Sequence, residues 1–216
     1  MNKSILIGIP GCGKSTLGRR IADVLHLPFF DTDTMTRARL KAYKPDDIFR
    51  MVYNGQIMAE QYTVMVELAK LSGPAIIATG AEIALIPKCA AIMKTMGTVI
   101  HIRRDPEIVL ADIRKSGKRD LILQGEDNGT EITVQEETVM MFAQECCQYE
   151  ALADLTLENN GTEDKGLEQL INLLAKAELA ASYKAMAADE EYEREAMKWC
   201  NGLIGGIDDE KSSPKI

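Results

Sequence analysis

The 216-residue sequence lacks several features that would each have suggested a function. No apolar run approaches the roughly 20 residues that cross a bilayer, so no membrane-spanning helix is expected. The opening stretch, MNKSILIGIPG, reaches glycine too soon to be the apolar core of a secretory signal, and we expect a cytoplasmic protein. The five cysteines (Cys12, Cys89, Cys146, Cys147, Cys200) are odd in number and show no zinc or dithiol spacing, which fits a reducing compartment. Aromatics make up 5% of the chain and no lysine/arginine stripe is interleaved with them. With a formal net charge of −8, this argues against a nucleic-acid partner. Of the two histidines, His101 lies in a buried-strand pattern and reads as a core residue.

The charge that is present is unevenly placed. Residues 1–119 hold 18 lysines and arginines against 11 acids, and residues 120–216 hold 7 against 22, so a site for a polyanion belongs to the first half. Five strand-like segments, 4–9, 28–31, 75–79, 98–102 and 154–158, alternate with helical patterns. That alternation predicts an α/β fold: a five-stranded parallel sheet with helices on both faces. Asp105-Pro106 opens one helix, and Thr133 with Glu136 forms a capping box for another expected to run to about Tyr149. Met58, Met65, Met93 and Met96 recur at helical spacing and read as core. Residues 116–131 have no sustained period and contain glycines, as a lid would. We expect a domain over 1–175, a helical extension over 176–204 and a disordered tail over 205–216.

Gly8, Gly13, Lys14 and Ser15 satisfy the phosphate-loop pattern G-x-x-x-x-G-K-[ST], between a strand and a helix as that motif requires. Backbone N–H groups across Gly11, Cys12, Gly13, Lys14, Ser15 and Thr16 would wrap a phosphate, Lys14 would neutralise its oxygens, and Ser15 would reach Mg²⁺. ATP and Mg²⁺ are therefore expected. Asp31 and Asp33, two apart at the end of the second strand, would project to the same side at the sheet's C-terminal edge, one toward the metal and one toward an acceptor hydroxyl. The third strand, in AIIATGAE, brings no early carboxylate; Thr79, Gly80 and Ala81 precede Glu82.

These residues resemble those of the shikimate kinases, a family with the P-loop kinase fold. The likeness runs through GIPGCGKSTLGRRIADVL, FFDTD, IIATG, GKRD and YEALADLTLE, over roughly 1–175. It implies that Ser15 and Asp31 hold the metal, that Asp33 binds and helps deprotonate the acceptor hydroxyl, and that Arg119 reaches the transferring phosphate from the lid. It also implies that Arg114 lies against the adenine. Three acceptor-side features depart from the family. No arginine occurs between Arg50 and Arg103 or between Arg119 and Arg194, where the family has two arginines that grip the acceptor's carboxylate. Glu145 stands at the second of those positions, and the family's triple glycine is Gly80, Ala81, Glu82. The resemblance thus implies a kinase whose pocket, lined by Asp33, Gly80, Ala81, Glu82 and Glu145, takes a small acceptor other than shikimate. Shikimate kinase itself and a non-catalytic nucleotide-binding regulator remain alternatives. A monomer or weak homodimer is expected.

Overall fold

The computed structural model describes residues 2–41, 55–116, 122–124, 131–187, 194 and 197–198. Five strands, β1 (Lys3–Ile7), β2 (Phe29–Asp31), β3 (Ile76–Ala78), β4 (Gly97–Arg103) and β7 (Leu155–Glu158), form one sheet in the order β2-β3-β1-β4-β7. Every pairing in it is parallel. This is the α/β architecture that the alternating pattern predicts. Strand β1 sits at the centre and is buried along its whole length, because a parallel sheet flanked by helices has no face turned to water.

The register shows which helix covers which face. Leu6 pairs with Ile100, and Ile7 with His101, so Leu6 and His101 point to opposite sides. Helix α1 (Lys14–Leu25) covers the first side: Gly18 packs so close to Phe29, Leu6 and Ile76 that an added Cβ would lie 2.8 Å from Phe29. Its apolar residues Leu17, Ile21 and Ala22 supply the buried stripe. On the other side, His101 stacks on Tyr149, with ring centroids 5.5 Å apart. Burial lowers the pKa of His101, so the ring is a neutral core group at physiological pH, as its strand position predicts.

Helix α2 (Thr32–Leu40) follows β2 without a break, and α3 (Gln56–Lys70) precedes β3. A 3₁₀ turn (Glu82–Leu85) leads into α4 (Pro87–Met96), and α5 (Pro106–Ser116) follows β4. Asp105 caps α5 as its sequence predicts, accepting from the Glu107 N–H at 2.9 Å. Met65, Met93 and Met96 are buried, but Met58 on the outer side of α3 is 58% exposed, contrary to the core reading.

The segment expected to be a lid carries structure that its irregular sequence does not predict: β5 (Ile122–Gln124) pairs antiparallel with β6 (Glu131–Thr133). Residues 117–121 and 125–130 lie outside the described residues. The helix expected to continue to Tyr149 is two helices, α6 (Val134–Gln144) and α7 (Cys146–Leu152). They are divided at Glu145, which has left the α-helical backbone (φ −91°, ψ 12°). The break lets α7 bury Tyr149 against His101 and donate its hydroxyl to the Ala81 carbonyl at 3.1 Å, a tertiary contact that overrides a locally continuous helical pattern.

Helix α8 spans Glu163–Ala187. Residues 1–173 and 174–216 form separate compact units. In the second, Leu179, Tyr183 and Met197 are exposed. Residues 199–216, which include the expected tail at 205–216, lie outside the described residues. Among the described residues no helix is long and apolar enough to cross a membrane.

Candidate active site

The loop between β1 and α1 is built on backbone conformations that L-side chains rarely adopt, with φ of 75° at Gly11 and 98° at Gly13, the residue before α1. Space is as restrictive as angle, since an added Cβ at Gly13 would lie 2.7 Å from the Asn159 amide nitrogen. Asn159 donates from Nδ2 to the Cys12 carbonyl at 2.8 Å and so ties the loop to the end of β7. Nothing in the sequence of the last strand signals this tie. Cys12 is fully buried. Lys14 is also buried, and its Nζ donates to the Gly8 and Ile9 carbonyls, each at 2.8 Å, with the Cys12 sulfur 3.6 Å away.

Ser15 donates from Oγ to Asp31 Oδ2 at 2.7 Å, while Asp31 Oδ1 accepts the Thr34 N–H at 3.0 Å. Asp31 is therefore both the cap of α2 and the carboxylate facing the loop. Asp33 is not two residues along an extended strand, as its spacing suggested. The strand ends at Asp31, and Asp33 sits in the first turn of α2. It still reaches the same cleft, because the turn carries it over β3. An added Cβ at Gly80 would lie 2.3 Å from Asp33 Oδ1 and 3.3 Å from Glu82 Oε2, so a larger residue would displace the Asp33 carboxylate from this position. The Gly80 N–H donates to Thr32 Oγ1 at 2.9 Å, which fixes the turn beneath them.

Crowding shows in the chemistry of Asp33. Its pKa is raised from 3.8 to about 6, first by burial, then by Glu82 and Asp31; Lys14 and Arg37 pull it the other way and are outweighed. Glu82 is bridged to α3 by the Gln61 amide, which donates from Nε2 to Glu82 Oε1.

Gly11, Gly13, Lys14, Ser15, Thr16, Asp33, Ala81 and Glu82 all border one cleft of about 510 Å³. Gly80 lies beneath Asp33. Glu145 does not border the cleft; it precedes α7 and accepts from Gln148 Nε2. Arg114, on α5, is exposed and its Nε donates to Glu136 at 2.6 Å. Glu136 stands in the first turn of α6, where a capping box was expected; the side chain of Thr133, its expected partner, lies outside the described residues. Arg119 lies outside the described residues.

Arg37, Thr36 and Gln61 also border the cleft, and the sequence reading passed over all three. Gln61 carried a signal: with Val64, Met65 and Leu68 it completes the buried i, i+3, i+4, i+7 stripe of α3, where a polar residue needs a reason.

A phosphate loop at the C-terminal edge of a parallel sheet, with carboxylates on the adjoining strand and helix, defines a P-loop phosphotransferase of the small-molecule kinase class. A sequence model described as shikimate kinase matches residues 10–175, and the chain belongs to the shikimate kinase family. Shikimate kinase of Enterococcus faecalis is 29% identical over 173 residues, covering 80% of this chain and 95% of that protein. That of Bradyrhizobium diazoefficiens is 28% identical over 171 residues, covering 79% and 78%. Among solved structures, shikimate kinase from Acinetobacter baumannii in complex with shikimate superimposes with a TM-score of 0.64. It is 23% identical, over 82% of this chain and 94% of that one. A gluconokinase from Sinorhizobium meliloti reaches a TM-score of 0.54 at 13% identity, over 85% and 97%. Likenesses at these structural identities speak to the fold. Family membership makes the protein an ATP-dependent phosphotransferase acting on a hydroxyl group.

Proposed function

We propose that the protein transfers the γ-phosphoryl group of ATP, with Mg²⁺, to a hydroxyl of a small acceptor other than shikimate. The observation that carries the acceptor reading is the convergence of two carboxylates, Asp33 and Glu82, on Gly80, beside which burial raises the pKa of Asp33. At the inner end of the cleft, burial and neighbouring carboxylates outweigh both nearby cations, so a further anion there is disfavoured. A carboxylate-bearing acceptor would need the paired arginines that charge-assisted recognition relies on. Among the described residues bordering the cleft, Arg37, exposed on α2, is the one arginine.

In this reading Asp33 accepts the proton of the attacking hydroxyl, and its raised pKa brings it closer to the working range of a general base. Lys14 turns from the Gly8 and Ile9 carbonyls to the phosphate oxygens and offsets charge as the phosphoryl group moves. Arg119 adds a second cation from the lid, and Arg114 lies along the base of the nucleotide. The Ser15 hydroxyl and Asp31 carboxylate are hard oxygen donors already 2.7 Å apart, a set that suits Mg²⁺ supported by the nucleotide's own phosphates. The metal would neutralise phosphate charge.

The test is ADP release from ATP and magnesium with shikimate against a panel of sugars and amino alcohols. Turnover of at least one panel compound with negligible use of shikimate is expected. A kcat/KM for shikimate on the order of 10⁴ M⁻¹s⁻¹ or more would restore the relatives' named activity and end this reading.

A further inference from the structure

Two residues bordering the cleft each carry a buried polar atom with no hydrogen-bond partner among the described residues: Gln61 at Oε1 and Thr36 at Oγ1. Both residues are inside the molecule, 2% and 3% exposed. The orientation of the Gln61 amide follows from its neighbour. Glu82 as a carboxylate can only accept, so the amide nitrogen faces it and the amide oxygen is left as an unmatched acceptor. Thr36 lies one turn beyond Thr32 on α2, the helix that also carries Asp33. Folded proteins rarely leave buried polar atoms unmatched, and where the residues that carry them border a cleft, its occupant is a natural source of partners.

The groups that meet there share a character. Two carboxylates, Asp33 and Glu82, and an amide oxygen accept hydrogen bonds, and the Thr36 hydroxyl serves either way. We propose that Gln61 and Thr36 read the non-reacting end of the acceptor, and that this end presents hydrogen-bond donors, hydroxyl or ammonium, and no carboxylate. The inference rests on the kinase reading above and narrows it to polyols and amino alcohols. Arg37 does not reverse it: the residue is exposed on α2, whereas the unmatched atoms are buried. A site built to bond a donor discriminates sharply against a ligand without one, because its buried acceptors are then left unpaired.

The experiment measures ADP release by the full chain with ATP and magnesium, using charge-matched acceptors: glucose, glucosamine and gluconate, and shikimamide with shikimate. Within each set the neutral or cationic member is expected to show a kcat/KM at least about tenfold above the anionic one. Gln61→Leu and Thr36→Val should each raise KM for the preferred acceptor by about tenfold, leaving kcat and KM for ATP within about twofold. Thr36→Val keeps the shape of the side chain, so its result does not depend on whether Gln61→Leu folds. Preference for the anionic members, or an acceptor KM unmoved in both variants, would overturn the proposal. An anion preference lost in Arg37→Ala would also overturn it, and would make that arginine the seat of the acceptor's charge. The two readings fail differently: no ADP release above the acceptor-free rate with any compound removes the kinase reading and this one with it, efficient use of shikimate removes both acceptor readings, and a preference for gluconate over glucose with shikimate unused removes this one alone.

Discussion

Replacing Asp33 by asparagine should stabilise the protein at neutral pH while removing its turnover. The native carboxyl holds its proton up to about pH 6, against 3.8 for an ordinary aspartate, so between those values the folded state binds more protons than the unfolded one. Stability therefore falls as pH rises through that window, and the deficit is complete above it. A shift of about 2 units corresponds to about 3 kcal/mol at pH ~8 and only about 1 kcal/mol at pH ~4.5, where the native group is still protonated. Asparagine cannot ionise, and the wild-type carboxylate accepts no hydrogen bond among the described residues that the amide would forfeit. Urea unfolding of both proteins at the two pH values should show the variant ahead by roughly 3 and roughly 1 kcal/mol. Turnover should drop far more than ATP affinity, and wild-type activity should rise through about pH 6 as the carboxylate forms. Equal stabilities at pH ~8, or an advantage that does not shrink in acid, would show that the field on Asp33 has been misjudged.

Gly80→Ala places a methyl 2.3 Å from Asp33 Oδ1, and the carboxylate must swing away. We expect kcat to fall by about 10²-fold or more with a thermal midpoint within a few degrees of wild type, measured by ADP release and calorimetry; near-normal kcat would mean that Asp33 does not work from this position. Tyr149→Phe removes the hydroxyl that donates to the Ala81 carbonyl and should cost about 1–2 kcal/mol in denaturant unfolding, with acceptor KM rising because the Ala81–Glu82 turn loses its tether. An unchanged KM would detach that hydrogen bond from the site.

The sheet was legible because each strand is a short apolar segment bounded by polar or turn residues, and burial on both faces demands that composition. The break at Glu145 was not, since neither glycine nor proline marks it; it follows from where α7 must stand for Tyr149 to reach His101. Within the site, the phosphate loop could be read because its chemistry fixes residue types at fixed spacing. Asp33 was found through a local argument that the structure replaces: it was expected on a strand and lies on a helix. Two different geometries deliver it to the same cleft, so the residue survived the error in its route. Thr36 and Arg37 look like ordinary helix-surface residues in sequence, and only the docking of α2 beside α3 turns them toward a cleft. Position along a helix tells which side a residue occupies, but not what that side faces.

The way Lys14 is held bears on which molecule can supply the phosphate. Its ammonium lies against two carbonyls of its own loop, so the loop is cross-braced by the charge that, in the reading proposed above, serves the phosphates. Little ordering remains to be done on binding, and the change for the lysine is an exchange of neutral oxygens for anionic ones. Such a seat responds to the density of negative charge and to nothing else about the donor. Any chain of phosphates would fit it equally, so discrimination between one purine and another has to be exercised at a distance from the loop, by contacts that never touch the reacting group.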